Sequence, residues 1–163
     1  MSNILSTRLR ELPGVAEMPT DSINLDAQFA CMCHAFAHHG AMVCADEVVR
    51  NMLGVVEQPI SALARRIVSR EVIAIEWRGA LLVPMFQFTK NSIDPKRACR
   101  EIFVELSDAM DDWTIAFWFA TRNPLLDGVP PVDVLSPRWD RALQAARVTR
   151  QLRAPGGGYS LLR

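Results

Sequence analysis

The chain has 163 residues, of which half are hydrophobic and 22% are charged, and its 18 basic and 18 acidic side chains give a formal net charge of zero. This composition excludes intrinsic disorder, and the length allows a buried core in one domain or two small ones. Zero net charge excludes a long-range attraction of the whole protein to nucleic acid. No apolar run approaches the roughly 18 residues of a membrane span, and no signal core is visible, which predicts a cytoplasmic protein without membrane association.

Residues 1–40 are predicted to form an N-terminal extension that leads into one helix. A short helix is expected near residues 4–12, and a longer one is expected from Asp21 to His39, ending at Gly40. The longer helix is expected to pack on the rest of the chain or to dimerise. Its apolar residues recur at three- and four-residue spacing, namely Leu25, Phe29, Met32 and Phe36.

The same helix carries the residues that could bind a metal ion. Cys31, His34 and His38 are spaced i, i+3 and i+7, which places them on one helical face, and their soft ligand atoms favour zinc or copper. No paired C-x-x-C motif accompanies them, and small cysteines beside alanines are ordinary core residues. We therefore expect no metal, no cofactor and no disulfide, and a metal-responsive regulator is the weakest of the functional alternatives.

Residues 41–90 have the order of signals of a winged helix-turn-helix. A helix from Asp46 to Leu53 ends at Gly54, and Pro59 opens a second helix. An apolar hairpin with its turn at Arg78 follows as the wing. The stripe predicted to be buried on the second helix is Ile60, Leu63, Ala64, Ile67 and Val68.

Arginines and hydroxyls on the opposite face of that second helix, and at the hairpin turn, are the predicted DNA contacts, because arginine reaches phosphates and guanine edges in the major groove. Few polar side chains open the helix, and the turn before it is long and acidic. The alternative is therefore a degenerate helix-turn-helix kept for dimerisation or docking. The predicted DNA-binding residues are Ser61, Arg65, Arg66, Ser69, Arg70 and Arg78.

Three further helices are predicted in residues 91–153. The first begins at Asp94-Pro95 and runs to about Ala109, and the last begins at Ser136-Pro137. Between them lies a Trp- and Phe-rich helix that is apolar on nearly every side, which is typical of a buried helix. Asp111 or Asp112 is expected to cap it, and Pro124 should end it near Arg122 with Asn123 in the left-handed region. Gly128 is expected to take a positive φ.

The segment after this aromatic helix resembles the toxin-binding domain of Xre/MbcA/ParS-type antitoxins. The resemblance covers about residues 92–153, and residues 43–88 resemble the MerR-like winged helix-turn-helix that precedes such domains. The expected fold is therefore mainly α, with a helix-turn-helix and β-hairpin wing followed by a small helical toxin-binding domain at 91–153 and a flexible tail at 154–163. The residues that carry the resemblance are Asn123, Pro124, Leu126, Gly128, Pro131, Asp133 and Leu135.

The resemblance implies an antitoxin that binds and occludes a RES-type toxin that consumes NAD, and that represses its own operon as a homodimer on operator DNA. The alternative is a stand-alone transcriptional regulator whose C-terminal unit dimerises. An enzyme is not expected, because no nucleophile, base and orienting group form a recognisable set. The residues expected at the toxin interface are Asn123, Leu126, Arg147, Arg150, Tyr159, Leu161 and Leu162.

Overall fold

The computed structural model describes residues 20–90 and 92–153. These residues are mainly helical with a small three-stranded antiparallel sheet, which confirms the predicted mainly α class. The helix predicted at 4–12 and the tail at 154–163 lie outside the described residues. Among the described residues, no helix has both the length and the apolar character to cross a bilayer.

The first half of the described chain alternates helices with the strands of the sheet. Helix α1 (Thr20–Phe36) is followed by a 3-10 turn at Ala37–His39. Gly40, at φ 93°, ends this turn, as predicted. A Cβ at Gly40 would lie 2.8 Å from the Cβ of Met85, so glycine is required there for space as well as for conformation. The elements are α1 (Thr20–Phe36), β1 (Met42–Cys44), α2 (Ala45–Met52), α3 (Pro59–Val68), β2 (Ile75–Trp77) and β3 (Ala80–Pro84).

The sheet has the order β1-β3-β2. Both pairings are antiparallel, with Val43 opposite Val83 and Glu76 opposite Leu81. Strands β2 and β3 form the predicted hairpin, with Arg78 and Gly79 at its turn, both at positive φ. Strand β1 extends this hairpin into a sheet, and the sequence analysis did not anticipate it.

The second half contains four helices, and two of their predicted starts are wrong. The helix expected at Asp94 begins only at Arg97, because a bridge between Phe88 and Pro95 keeps the chain extended there. The last helix begins at Trp139 and not at Ser136-Pro137. The elements are α4 (Arg97–Leu106), α5 (Asp112–Ala120), α6 (Pro131–Val134) and α7 (Trp139–Arg153).

The predicted cap and stop of the aromatic helix α5 are largely confirmed. The Asp111 carboxylate accepts a hydrogen bond from Thr114 N at 2.8 Å, as expected of an N-cap. The helix ends at Ala120. The prediction that Asn123 adopts the left-handed region is wrong, because Asn123 is extended at φ −112° and Asp127 takes that conformation at φ 59°. Gly128 has the expected positive φ, 77°.

Two hydrophobic cores stabilise the described part of the chain. The larger core joins α1, α4, α5 and α7, so the N-terminal helix packs with the C-terminal helices. The smaller core lies between the sheet, α2 and α3. The largest side chains of the first are Met32, Phe36, Phe86, Phe103 and Phe119, and the second contains Val48, Met52, Leu63, Val72, Val83 and Phe88.

The buried stripe predicted for α3 is partly wrong. Leu63 is 3% exposed as expected, but Ile60 is 71% and Val68 is 85% exposed. The helix is turned because Arg66, expected on the free face, lies half-buried and donates to the carbonyl of Ile93 at 2.5 Å. Its aliphatic stem packs inward while the guanidinium reaches the loop before α4.

Candidate functional site

An apolar groove lies where the last turns of α5 and α7 meet the 3-10 turn Pro124–Leu126. Its volume is about 430 Å³. We call it the α5–α7 groove. The large side chains that line it are Phe117, Trp118, Pro124, Leu125 and Leu152.

Helix α5 forms the floor of this groove because it is apolar on nearly every side. Ile115 and Phe119 face the larger core and are fully buried, whereas Phe117 and Trp118 lie on other faces and are only partly buried. The Trp118 indole meets the Phe119 ring edge-on at 5.0 Å and donates to Thr149 Oγ1 at 3.3 Å. The indole is therefore fixed in position by α5 and α7 together.

The loop after α5 forms the lip of the groove. Asn123 is 7% exposed, and its side chain accepts a hydrogen bond from Leu125 N at 2.9 Å. Its carbonyl accepts a second bond from Gly128 N at 2.9 Å, so the loop closes on itself. This geometry holds Pro124 outward and leaves Leu125 46% exposed. Asn123 therefore shapes the lip, and a partner would contact Leu125.

The charges at the groove have one sign. Arg122 and Arg153 line it, both exposed, and none of the described residues that line it is acidic. Leu152, beside Arg153, is 71% exposed. An apolar surface of this kind with cationic edges fits an apolar side chain flanked by acidic groups.

The residues predicted to bind the toxin do not share one surface. Asn123 lines the groove, whereas Leu126 is 1% exposed and belongs to the protein interior. Arg147 Nε lies 3.0 Å from Glu105 Oε1 and Arg150 Nη1 lies 2.6 Å from Glu105 Oε2, so both arginines tie α7 to α4. The remaining three, Tyr159, Leu161 and Leu162, lie outside the described residues.

Several groove residues escaped the sequence analysis, namely Phe117, Trp118, Leu125 and Leu152. A helix that is apolar all round was interpreted as wholly buried, which concealed that one of its faces borders a groove. The available signal was Leu152, a large apolar residue among the arginines at the end of α7. A lone leucine is too common on protein surfaces to identify a site without the fold.

The predicted DNA-binding residues fall into two groups. Ser61 and Arg65 are exposed on α3. Arg66 and Arg70 make internal contacts: Arg66 binds the loop before α4, and Arg70 donates to the carbonyls at the end of that helix, including Ser107 O at 3.1 Å. Ser69 is exposed, and its hydroxyl donates to a carbonyl of its own helix at 3.3 Å.

The tip of the hairpin packs against the helices. Arg78 Nη2 lies 3.2 Å from an Asp26 carboxylate oxygen, and its guanidinium lies 5.3 Å from the Trp77 ring centroid. Trp77 in turn stacks on Phe29 of α1 at 4.4 Å and contacts Trp113 of α5 at 5.4 Å. Trp77 therefore holds the hairpin on α1 and α5, while the Arg78 side chain is 73% exposed beside Asp26.

The three metal candidates, Cys31, His34 and His38, border one cavity between α1 and the loop that leads into α6. Across residues 20–90 and 92–153, no three His, Cys, Asp or Glu side chains converge in a way that could hold a metal ion. His39 instead pairs with Asp133, with Nε2 and Oδ1 2.7 Å apart. Burial raises the pKa of the Cys99 thiol to about 12, so this cysteine stays protonated at neutral pH.

Comparison of the chain with known protein families, with characterised proteins and with solved structures found no match. Function must therefore be inferred from the surfaces of the molecule. The α5–α7 groove combines partly exposed aromatic rings with two exposed leucines and a cationic edge. Such a surface is suited to binding another protein, because large apolar side chains in a concave patch supply most of the affinity of protein interfaces.

Proposed function

We propose that the chain is an antitoxin-like protein that binds and neutralises a RES-type, NAD-consuming toxin through the α5–α7 groove, and that it is not an enzyme. The observation that carries the proposal is the exposed apolar lining of this groove, with Leu125 46% and Leu152 71% exposed. The groove is built from the segment whose sequence resembles an antitoxin toxin-binding domain.

In this proposal the C-terminal residues contact the same partner. Helix α7 ends at Arg153, which lines the groove. Tyr159, Leu161 and Leu162 follow within ten residues. An extended chain spans about 3.5 Å per residue, so Tyr159 can reach a partner bound anywhere on the groove.

The proposal is tested by co-expression with the product of the neighbouring gene, which is expected to be a RES-type toxin, and by measuring the affinity of the purified complex. Leu152→Asp is expected to weaken binding by about tenfold or more, because a charge would enter an apolar contact. Val104→Asp is the matched control, since Val104 is 72% exposed on a different face. Equal affinities for the two variants would refute the groove as the toxin-binding site.

A second experiment concerns the C-terminal tail. Deletion of residues 156–163 is expected to reduce protection of growing cells against the toxin, since it removes Tyr159, Leu161 and Leu162. The thermal unfolding temperatures of the truncated and full chains are compared as the control, which separates a loss of fold from a loss of contact with the toxin. Unchanged protection would show that the tail does not take part in neutralisation.

Repression of its own operon is a second proposed activity, and it is also the sole activity under the alternative of a stand-alone regulator. The element order α1-β1-α2-α3-β2-β3 with a β1-β3-β2 sheet supports it, because a winged helix-turn-helix has this connectivity. Arg65 is exposed on α3, the helix that would enter the major groove. In an operator titration, Arg65→Ala should weaken binding and Arg100→Ala, on α4, should not. Operator binding without toxin co-purification would favour the alternative.

Under the alternative in which the helix-turn-helix is kept for dimerisation and α3 does not enter DNA, the homodimer is proposed to form through α3. Ile60, Ala64 and Val68 are spaced i, i+4 and i+8 on this helix and all are exposed, so they form one apolar stripe. A second copy of the stripe would cover it in a two-fold arrangement. Val68→Asp is expected to convert a dimer to a monomer in sedimentation experiments, and an unchanged mass would exclude this interface.

A further inference from the structure

The two lysines of the chain lie together. Lys90 and Lys96 are the only lysines in the sequence, so the other 16 of its 18 basic residues are arginines. Both lysines line one cavity of about 650 Å³, which lies between α2, the 3-10 turn after α1 and the loop before α4. We call it the lysine cavity. Both lysines of the chain therefore share one concave surface.

The backbone fixes this arrangement by closing the loop between the lysines. Phe88 and Pro95 form an antiparallel bridge. Inside it Thr89 N donates to Asp94 O at 3.0 Å, and outside it Lys96 N donates to the carbonyl of Gln87 at 2.7 Å. Lys90 and Lys96 are thus held at the two ends of a closed loop, which brings their side chains to the same cavity.

The cavity is cationic. Lys90 and Lys96 supply its positive charge, and none of the described residues that line it is acidic. Two carboxylates are bonded to residues at its edge: Asp133 to His39 at 2.7 Å, and Asp94 to the hydroxyl of Ser92 at 2.7 Å. Within residues 20–90 and 92–153, neither lysine forms an ion pair. A bound anion would offset the repulsion between these like charges.

The backbone beside Lys96 adds to the positive potential. Lys96 is the N-cap residue of the ten-residue helix α4, and no side chain caps this end. The first turn of α4 contains no acidic residue, although acidic side chains are the usual complement of a helix N-terminus. The N-terminus of α4 therefore adds a partial positive charge beside Lys96, which would attract an anion.

The remaining walls of the cavity indicate what else the ligand carries. Val48, Met85, Phe88 and Ile93 supply apolar and aromatic surface, and Asn51 supplies an amide. The volume falls within the roughly 300–1,000 Å³ that is usual for small-molecule pockets. A bare inorganic ion would leave most of this space and the apolar wall unused.

We propose that the lysine cavity binds a phosphorylated small molecule of nucleotide size, with its phosphate between the ammonium groups of Lys90 and Lys96 and its organic part against the apolar wall. Lysine suits this role because its ammonium group is a compact charge that binds phosphate from several directions. The site is distinct from the α5–α7 groove and does not depend on the proposed toxin binding.

The scarcity of lysine allows a direct test on the full chain. Reductive methylation with ¹³C-formaldehyde keeps the charge and labels Lys90 and Lys96 besides the amino terminus, so each lysine gives its own NMR signal, assigned with Lys90→Arg and Lys96→Arg variants. Titration with ADP should shift both lysine signals along one saturation curve. Adenosine, which lacks phosphate, should leave them unshifted, and inorganic pyrophosphate should shift them with weaker affinity.

Variants of the unmodified protein are titrated calorimetrically with ADP. They distinguish binding in the lysine cavity from a non-specific attraction of ADP to positive charge. Lys96→Gln is expected to weaken binding by about tenfold, the usual loss for one charged contact. Arg100→Gln removes the same charge one turn further along α4 and should change affinity by no more than about twofold. Lys96→Arg retains the charge and should bind more tightly than Lys96→Gln.

Three results would overturn the proposal. Wild-type protein without a saturable ADP response would exclude a nucleotide-sized ligand. An equal loss in Arg100→Gln and Lys96→Gln would show that net charge alone attracts the phosphate. Shifts of both lysine signals with duplex DNA but not with ADP would assign the lysines to nucleic acid instead.

Discussion

The two hydrophobic cores differ in how completely they define the helices around them. In the larger core, α5 is in contact on several sides, and its rings meet those of neighbouring segments, as Phe119 meets Phe86 at 4.8 Å and Phe103 at 5.9 Å. In the smaller core, α3 contributes one fully buried side chain, Leu63, and leaves Ile60 exposed. The first region is fixed by burial, whereas the second leaves an apolar helix face uncovered.

This difference explains where exposed apolar surface arises. A helix that is apolar all round has no polar face to turn towards solvent. Any apolar surface that its neighbours do not cover therefore lines a groove, as at Phe117 and Trp118. A helix with two competing faces is oriented by a specific contact, here that of Arg66 with Ile93 O. Both outcomes produce candidate binding surfaces, but the α5–α7 groove is concave and held rigidly, whereas the α3 stripe is convex.

The largest effect is expected from Phe119→Ala, because this ring is fully buried at the centre of the larger core. The free energy of unfolding should fall by about 3–5 kcal/mol. Leu63→Ala in the smaller core should cost less, about 2–3 kcal/mol, since Leu63 is the only fully buried side chain of α3. Chemical denaturation measures both, with Val104→Ala as an exposed control. A larger loss of unfolding free energy for Leu63→Ala than for Phe119→Ala would contradict the expected order of the two cores.

The sequence predicted most of the larger core and less of the smaller one. The cap at Asp111, the stop before Pro124 and the positive φ of Gly128 followed from local chemistry, which needs no knowledge of the fold. The orientation of α3 and the late start of α4 did not, because each depends on contacts between segments distant in sequence, such as Arg66 with Ile93. The groove was also unpredictable, since it exists only where α5 meets α7.

The next largest loss of stability is expected at Gln87, whose side chain bonds the backbone of two other segments. Gln87 is fully buried, and its side chain bonds both the N–H and the carbonyl of Ile73 at 2.9 Å. It also donates to Pro84 O at 2.8 Å. Gln87→Leu would leave these three backbone groups unpaired and should cost about 3–4 kcal/mol, at about 1 kcal/mol, the lower end of the usual range, for each unsatisfied group.

Hydrogen exchange of the Gln87→Leu variant sharpens the comparison further. Amides of β2 and β3 should lose protection more than those of α4 and α7, because Gln87 bonds Ile73, two residues before β2, and Pro84, the last residue of β3. Equal loss of protection throughout would show that the two cores unfold as one unit.

A smaller effect is expected at the cap of α5. Asp111→Ala should lower stability by about 1 kcal/mol at neutral pH. Hydrogen bonds from Thr114, first from its hydroxyl and then from its backbone N–H, hold the pKa of Asp111 below the ordinary value of 3.8. The stabilisation is therefore present above pH 3.8 and is lost as the pH falls through the folded-state pKa. The wild-type and Asp111→Ala unfolding temperatures should converge in that acidic range, and a constant difference would contradict this origin.

The smallest effect is expected at Glu105, which is 15% exposed and pairs with Arg147 and Arg150 of α7. Glu105→Gln should cost on the order of 1 kcal/mol, because both arginines are partly exposed and their pairing is screened by water. High salt should reduce the difference in unfolding free energy between the wild type and Glu105→Gln. A difference that is independent of salt would indicate packing rather than charge.

Hydrogen exchange of the co-expressed toxin complex tests the central claim most directly, because it reports which surface becomes covered. Binding through the α5–α7 groove predicts new protection at residues 117–126 and 149–153, with the amides of α3 at 59–68 unchanged relative to the free protein. New protection confined to 59–68 would contradict this and would place the partner on the apolar stripe of α3.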